Sequence, residues 1–385
     1  IFFGPKTTCK RINGMWSFVF YDVKKKKIFF SRDRCGEKPL YYYLDKENLI
    51  VASEVKTLAI ASGKKFHLNK KFVFNFLELS LVDLNDNSIL NEIKQFKQGY
   101  IYSINLENTN IELKENSFWN LEEKEKNLPD VEKLIYDRFF ESIKIRLRSD
   151  VKIGILLSGG LDSSTIASMV SKIDKNHKFQ LLSFINKSKK FDESEFIELM
   201  ENHLNTKSFK VKLPDNSDKY FELLKEVSKK IDTPLPGASN LAHYLMMKEA
   251  KKNDLKVILS GQGADEALCG YKKYLYVHLI NLFKNKKFFK FIHYIFLFIK
   301  NKTVFFEFNL NEAKRYFKKN TQNFYGSFFN NIEKTSIYSF GQNVRSRQIA
   351  DIKKFSVPSI CHFEDRLSML NSVETRYPFL DIKAL

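Results

Sequence analysis

Cysteine and histidine are sparse in this sequence and form no pattern typical of a metal or disulfide site. The four cysteines stand far apart, at positions 9, 35, 269 and 361, and no CxxC motif occurs. Such a spacing gives no disulfide framework and suits a reducing compartment. None of the seven histidines lies at a metal-ligand spacing from a cysteine or a carboxylate, which argues against a structural zinc site. With no recognisable signal peptide, we predict a cytoplasmic protein.

Long uninterrupted apolar runs are also absent. The most membrane-like stretch is Leu279–Phe308, and its longest apolar run, Phe291–Ile299, is bounded by Lys290 and Lys300. A membrane-spanning helix needs about 20 apolar residues, so we predict no span and no membrane partner. The composition instead favours buried or amphipathic helices inside a domain, with a helix on a membrane surface as the alternative.

Acidic residues are outnumbered, with 45 Asp and Glu against 64 Lys and Arg, and the formal net charge is +19. A basic balance of this size suggests a nucleic-acid partner. Most of the excess, however, is lysine in dispersed runs such as Lys24–Lys27, and no RNA-binding motif accompanies it. We therefore predict a solvated lysine-rich surface and no nucleic-acid partner. Hydrophobic residues make up 43% of the 385 residues, enough to bury cores in two or three domains.

The first part of the chain alternates short apolar runs with turns. Period-two runs punctuated by glycine and proline predict a β-rich layer. The predicted strands are Trp16–Tyr21, Lys27–Ser31, Leu40–Leu44 and Leu49–Ser53. A short helix is predicted at Glu54–Ser62, and a polar, charged segment predicts a linker at residues 121–130. We therefore predict one domain over residues 1–120 and a second over residues 131–385.

The second part has longer elements in strand–helix alternation. The predicted strands are Val151–Leu157, Phe179–Asn186, Ser208–Leu213 and Lys256–Ser260. The predicted helices are Ser163–Lys172, Ser194–Leu204, Lys219–Lys230 and Ser239–Lys252. Repeated strand–helix units predict an α/β fold with a parallel sheet and helices on both faces. Ligands of such sheets lie beyond the carboxyl ends of the strands, and the two most unusual loops of the sequence follow two of these strands.

The first unusual loop, LSGGLDSS at residues 157–164, lies between a buried strand and a helix. Backbone N–H groups at a helix N-terminus bind phosphate oxygens, glycines let the main chain approach the anion, and serines add hydroxyl donors. The residues with these properties are Ser158, Gly159, Gly160 and Ser163. Asp162 would repel a bare phosphate, so its presence indicates a bridging Mg²⁺. An ordinary glycine-rich turn with capping residues is the alternative interpretation.

The pattern Ser-Gly-Gly-x-Asp-Ser resembles the signature of the PP-loop ATP pyrophosphatases, which split ATP between the α and β phosphates. The GxxxxGK[ST] loop that supports γ-phosphate transfer is absent. The resemblance implies that ATP and Mg²⁺ are the ligands and that pyrophosphate lies on Ser158–Ser163. It also implies that the backbone at the strand ends Leu157 and Asn186 holds the adenosine.

The second loop, LSGQGADE at residues 259–266, is followed by Gly270 and Tyr271. It again follows a strand and opens a helix, and it resembles the SG(E)G(A/S)DE…GGY loop of asparagine synthetases. By that resemblance, Ser260 and Gly261 line the nucleotide, and Asp265 joins Asp162 on Mg²⁺. One divalent ion offsets the charges of both carboxylates beside pyrophosphate. Two tight turns and a capped helix form the alternative interpretation.

Gln262 departs from part of that family, in which a glutamate at this position is a candidate general base. Glutamine accepts no proton at neutral pH, although it can hydrogen-bond an intermediate. We count Gln262, Asp162 and Asp265 as the candidate catalytic residues, and the substitution puts the proton-transfer step in question.

Further segments resemble the same family in the same order. The segment at residues 32–42, RDRCGEKPLYY, resembles the end of the family's glutaminase domain, as do Ser53–Lys56 and Asn13–Trp16. Glu364–Arg366 and Glu374–Asp381 resemble a stretch near the synthetase site, with Leu367 where asparagine is usual. These charged residues serve either folding and domain contact or direct substrate contact, and spacing alone does not separate the two.

The resemblance implies a PP-loop synthetase domain preceded by part of an αββα N-terminal-nucleophile glutaminase domain. It implies adenylation of the aspartate side chain to β-aspartyl-AMP, then amidation by glutamine-derived ammonia, with a homodimer as one possibility. Residue 1 is Ile and Cys9 is internal, so we expect no glutaminase nucleophile in this sequence and no glutamine hydrolysis by it alone. Alternatives are a paralogue that amidates another carboxylate, a tRNA-modifying PP-loop enzyme, and a non-catalytic interaction protein.

Overall fold

The computed structural model describes residues 3–108, 110–122, 129–174, 179–186, 188, 192–300, 326–329, 332, 335 and 343–385. Helices and strands in this part of the chain are numbered in chain order. The strands are β1 (Ser17–Asp22), β2 (Lys27–Arg32), β3 (Tyr41–Leu44), β4 (Leu49–Ala52), β5 (Ile93–Gln95), β6 (Tyr100–Asn105), β7 (Lys114–Ser117), β8 (Ile153–Leu156), β9 (Gln180–Phe184), β10 (Ser208–Val211), β11 (Val257–Leu259) and β12 (Glu374–Arg376).

Helices alternate with the later strands and are fewer in the first part. They are α1 (Pro5–Arg11), α2 (Val55–Ser62), α3 (Lys70–Leu79), α4 (Val131–Arg146), α5 (Leu161–Ile173), α6 (Ser194–Leu204), α7 (Ser217–Lys230), α8 (Ala238–Lys252), α9 (Ala264–Leu268), α10 (Lys272–Lys284), α11 (Phe288–Lys300), α12 (Val344–Ala350) and α13 (Val357–Met369). A π-helical turn at Asp351–Phe355 separates α12 from α13.

The first part of the chain folds into two antiparallel sheets, in the orders β1-β2-β6-β7 and β4-β3-β5. Alternate residues of β3 are buried, as in a strand with one face on a core. Phe30 of one sheet stacks on Phe96, beside the other sheet, at 5.1 Å between ring centroids, so the two sheets share an aromatic core. The predicted β-rich layer is confirmed, and each of its four predicted strands matches an observed strand within one residue at either end.

The second part contains a five-stranded parallel sheet in the order β10-β9-β8-β11-β12. From β8 the chain adds β9 and then β10 on one side, and it returns to the other side of β8 with β11. The strand order therefore reverses between β8 and β11, and a crevice opens at the carboxyl ends of strands at such a reversal. Both unusual loops begin there, one after each of these two neighbouring strands.

The predicted α/β fold is confirmed, but one strand of the sheet was not predicted. β12 pairs in parallel with β11 through Val257↔Glu374, Ile258↔Thr375 and Leu259↔Arg376. Its three residues are Glu, Thr and Arg, so it lacks the apolar run by which buried parallel strands are recognised. The predicted linker at 121–130 lies largely outside the described residues, and the division into domains stays a prediction.

The aromatic stretch Leu279–Phe308 contributes to α10 and α11, and its residues 301–308 lie outside the described part. α11 has no fully buried side chain, and Phe289 is 93% exposed. Its half-buried residues recur at helical spacing, so one face of α11 packs on the protein, while Ile292, Phe296 and Ile299 are exposed on the other side among the described residues. Within the described part of the chain, no helix combines the length and apolar character that a membrane crossing requires.

Candidate functional site

The loop after β8 is a tight backbone cradle at the start of α5. Gly159 has a φ of +80°, and a Cβ added to it would lie 2.6 Å from the Cβ of Phe196 on α6. Glycine is therefore required for both the backbone conformation and the close packing. The N–H of Ser158 donates to Ser163 Oγ at 3.1 Å, and the N–H of Gly160 donates to Ser158 Oγ at 3.2 Å. The predicted phosphate-binding residues thus form one ordered turn at a helix N-terminus.

The loop after β11 lies directly against this cradle. A Cβ added to Gly261 would lie 3.2 Å from the Cβ of Asp162 and 3.4 Å from the backbone nitrogen of Ser163. The absence of a side chain at residue 261 therefore leaves room beside the first turn of α5. Ser260 is held from the other side, because its N–H donates to the carbonyl of Arg376 at 3.0 Å. Sequence reasoning predicted both loops at one site, and the structure brings them together.

The charges of two carboxylates act on a third where the two loops meet. Burial and the charges of Asp265 and Glu266 raise the pKa of Asp162 to about 6. Burial also raises the pKa of Asp265, against the opposing charge of Lys273, and burial raises the pKa of Glu266. No hydrogen-bond donor among the described residues pairs with the Asp162 carboxylate. A carboxylate without a donor, close to the charges of two others, fits a divalent cation.

The side chain of Asp265 packs closely against Gly270, which restricts its orientation. A Cβ at Gly270 would lie 1.9 Å from Asp265 Oδ1, and the N–H of Gly270 donates to the Asp265 carbonyl at 2.9 Å. The described residues include no cluster of three His, Cys, Asp or Glu side chains arranged as a metal site. The role of Asp162 and Asp265 as Mg²⁺ ligands therefore stays a prediction, and two carboxylates are the kind of oxygen donors that this ion takes from a protein.

Sequence reasoning did not single out Glu266 as part of this charge cluster. Its side chain is fully buried, and its Oε1 accepts hydrogen bonds from Tyr271 at 3.0 Å and from Ser356. Its Oε2 is buried without a partner in the described part of the chain. The sequence does show Glu266 directly after Asp265. Two adjacent carboxylates in one short loop disfavour each other's ionised form, so the charge cluster could have been predicted from this pair.

Leu157 and Asn186 lie at the carboxyl ends of neighbouring strands, on the same edge of the sheet as the two loops. The Leu157 side chain is buried in the main core, and its N–H donates to the Leu182 carbonyl at 2.8 Å. Asn186 Oδ1 accepts from the N–H of Ser188 at 3.0 Å. Only main-chain groups of Leu157 remain for a ligand, in keeping with the predicted role of its backbone. That role, like the adenosine contact of Asn186, stays a prediction.

The charged residues whose role was open in the sequence separate into two sets. Lys38 Nζ pairs with Asp365 Oδ1 at 2.6 Å, and Arg366 donates to the Tyr41 hydroxyl. Both bonds join α13 to the first 120 residues, so Asp365 and Arg366 serve contact between the two parts. Asp381 does the same, because Asn13 donates to it at 2.8 Å.

Glu364 belongs to the other set and faces the second loop. Gln262 Nε2 donates to Glu364 Oε1 at 3.0 Å. His243 Nδ1 lies 3.9 Å from the same oxygen. Gln262, a candidate catalytic residue, is therefore backed by a carboxylate that the sequence placed 102 positions away.

A parallel α/β sheet with a glycine-rich turn and carboxylates at its topological reversal is typical of nucleotide-binding proteins of the PP-loop type. Comparison with known families specifies it further. Residues 134–384 match the asparagine synthase family, and residues 2–119 match the glutamine amidotransferase domain family. The chain belongs to the asparagine synthase family.

Individual relatives agree with this assignment. Asparagine synthetase (glutamine-hydrolysing) 2 of Bacillus subtilis (strain 168) is 28% identical over 402 residues, which cover 96% of this chain and 50% of that protein. The Penicillium rubens protein named amidase chyE is 26% identical over 280 residues, which cover 68% of this chain and 40% of that protein. The chain thus spans half or less of the length of these two relatives.

Similarity to solved structures is weak. The glutamine-dependent NAD⁺ synthetase of Acinetobacter baumannii in complex with ADP superposes with a TM-score of 0.28 at 12% identity, covering 69% of this chain and 64% of that chain. An overlap at this level carries no argument about the site, and the family match stands without it.

Proposed function

We propose that this chain supplies the ATP-dependent part of a glutamine-hydrolysing asparagine synthetase. The observation that supports the proposal is the contact between the two loops, in which Gly261 lies against Asp162 and the charge of Asp265 raises the pKa of Asp162. Backbone N–H groups at the start of α5 bind the β and γ phosphates of ATP. Asp162 and Asp265 would hold Mg²⁺, which when bound would neutralise charge on the departing pyrophosphate.

The reaction has two steps in this proposal. A side-chain oxygen of aspartate attacks the α-phosphorus, the bond to the β-phosphate oxygen breaks, and pyrophosphate leaves with that electron pair. The product is β-aspartyl-AMP, in which the poor leaving group of a carboxylate has become a good one. Ammonia then attacks the activated carbonyl carbon and AMP departs. The loops hold the reactants in attack geometry and limit water, which would otherwise hydrolyse the adenylate.

A second acid acceptor stays in consideration because of one relative. The match to a protein named an amidase shows that the family's sequence pattern extends beyond proteins named asparagine synthetases. The same loops would adenylate another carboxylate without change, so the alternative is a related amidotransferase with a different acid. The match of residues 2–119 to a glutamine amidotransferase domain speaks against a tRNA-modifying enzyme.

The test is acid-dependent exchange of pyrophosphate into ATP, measured on the complete gene product with Mg-ATP and a panel of acids. We expect exchange with aspartate, and loss of exchange when Mg²⁺ is removed with EDTA. Added ammonia should convert the exchanging acid into its amide. Exchange with another acid only would keep the mechanism and replace the substrate, whereas no exchange with any acid would contradict the proposal.

A further inference from the structure

The residue pair Gln262 and Glu364 joins the nucleotide loop to α13. Of the two groups at the end of the Gln262 side chain, only the amide nitrogen can donate, and a carboxylate can only accept. The 3.0 Å bond to Glu364 Oε1 therefore assigns Nε2 to that contact. The carbonyl oxygen of Gln262 has no hydrogen-bond partner among the described residues, and its loop borders Asp162 through Gly261.

Glu364 is buried and has little to neutralise it. The residue is 8% exposed, and its Oε2 has no hydrogen-bond partner within the described part of the chain. Burial lowers the pKa of His243, against the opposing influence of Glu364, so this imidazole is neutral near pH 7 and brings no positive charge. Arg366, two residues along the same helix, is engaged with Tyr41. The Glu364 carboxyl group lies directly behind the Gln262 amide.

Tyr377, the residue after β12, lies near Glu364. Its hydroxyl is buried and unpartnered among the described residues. After burial itself, the charge of Glu364 is the largest influence that raises the pKa of Tyr377. Tyr377 directly follows Arg376, whose carbonyl binds Ser260. Glu364 therefore lies at the edge of the second loop, where β11 and β12 end, rather than on a remote face of α13.

Negative charge near the attacking nitrogen would favour the amidation step. When the lone pair of ammonia forms the new C–N bond, the nitrogen becomes positively charged. The bond from carbon to the AMP oxygen then breaks, its electron pair leaves on the phosphate, and the surplus proton passes from nitrogen to water. A carboxylate at residue 262 would stabilise the charged nitrogen directly. Gln262 has no charge of its own, although its carbonyl oxygen can accept an N–H of the attacking ammonia.

We propose that Glu364 is a positioning residue for amidation, which orients Gln262 with its carbonyl oxygen toward the adenylate and supplies the negative charge that residue 262 lacks. This inference rests on the proposed function. A carboxylate at either member of the pair would serve, because what matters is one negative charge shared by a hydrogen-bonded carboxylate–amide pair. Two amides would supply no charge, and two carboxylates about 3 Å apart would repel each other.

The test is a charge exchange between the two positions in the complete gene product. The variants are Glu364→Gln, the double variant Gln262→Glu with Glu364→Gln, and Glu222→Gln on the exposed face of α7 as a matched control. Two rates are measured for each: acid-dependent pyrophosphate exchange, which reports adenylation, and amide formation from ammonia. Wild-type exchange with some acid establishes the proposed function independently of the pair.

We expect Glu364→Gln to retain at least about a third of the exchange rate and to lose roughly tenfold or more in amide formation, the scale of one oriented electrostatic contact. The double variant should regain most of that loss, and the control should match the wild type in both rates. Equal losses in both rates, an unchanged amidation rate in Glu364→Gln, or no recovery in the double variant would each overturn the role of Glu364. A wild type without exchange would instead overturn the proposed function.

Discussion

Two aspartates in glycine-containing loops show how differently one residue type is used in the two parts of this molecule. Asp33 is completely buried in the first part. Four main-chain N–H groups donate to its two oxygens over distances of 2.8–3.3 Å, and they belong to Trp16, Cys35, Glu37 and Lys38. Asp162 is only half-buried, yet it has no such donors in the described part of the chain and faces other carboxylates.

The difference lies in the partners rather than in the degree of burial. Asp33 organises the turn between β2 and β3, because its carboxylate satisfies amides that would otherwise be buried without partners. Asp162 satisfies nothing in its own loop and carries an electrostatic cost that a bound cation would remove. We infer that Asp33 serves stability and Asp162 serves ligand binding, and substitution of each should separate these roles.

The largest expected effect is on adenylation. Asp162→Asn removes a charged Mg²⁺ ligand while keeping the shape of the side chain, so pyrophosphate exchange should fall by about 100-fold or more, equivalent to about 3 kcal/mol. The comparison variant is Asp150→Asn in the exposed segment before β8, which should exchange at the wild-type rate. A pyrophosphate exchange rate of Asp162→Asn within a few fold of the wild type would show that Asp162 is not a metal ligand.

The next effect is on stability and concerns Asp33. Asp33→Asn places an amide NH₂ against main-chain N–H donors, so the free energy of unfolding should fall by about 2–4 kcal/mol. Denaturant unfolding monitored by fluorescence measures the change. Asp22→Asn is the matched control, because Asp22 accepts one main-chain N–H in an exposed turn, and its loss should stay below about 1 kcal/mol. Equal losses in the two variants would show that four main-chain donors to Asp33 contribute no more stability than the single donor to Asp22.

The smallest expected effect is a rise in the free energy of unfolding rather than a fall. The pKa of Asp162 is raised in the folded protein to about 6, so folding favours its protonated form and ionisation at higher pH destabilises the fold. Without Mg²⁺ and ATP, Asp162→Asn should therefore raise the free energy of unfolding at pH 7.5 by about 1 kcal/mol, after allowance for solvent screening of a half-exposed group. The gain should disappear as the pH falls from about 6 to 4. A lower free energy of unfolding for Asp162→Asn than for the wild type at pH 7.5 would contradict the contrast drawn between Asp33 and Asp162.

The sequence predicted those features that depend on local pattern. The helix Ser194–Leu204 was predicted with the bounds that the structure shows. The strand–loop–helix units around both nucleotide loops were predictable because buried parallel strands are short apolar runs bounded by glycine. The contact between the loops followed from the rule that parallel strands end at one edge of the sheet.

Features that depend on distant pairing were not predictable in the same way. The polar strand β12 forms by pairing with β11, and the residues Glu-Thr-Arg alone do not predict a strand. The three consecutive residues Glu364, Asp365 and Arg366 looked equivalent in the sequence, but they point to different parts of the molecule because successive residues of a helix face different directions. Assigning them required the packing of α13 between the two parts.

The pairing of β11 with β12 also has a consequence for how the protein is made. The bond from Ser260 to Arg376 joins segments that leave the ribosome more than a hundred residues apart. At elongation rates of about 5–20 residues per second, β12 emerges on the order of 10 s after β11. Until then β11 is the edge strand of an unfinished sheet, with main-chain groups open to other chains. Slower translation of the intervening messenger segment would lengthen that exposure and lower the yield of soluble protein.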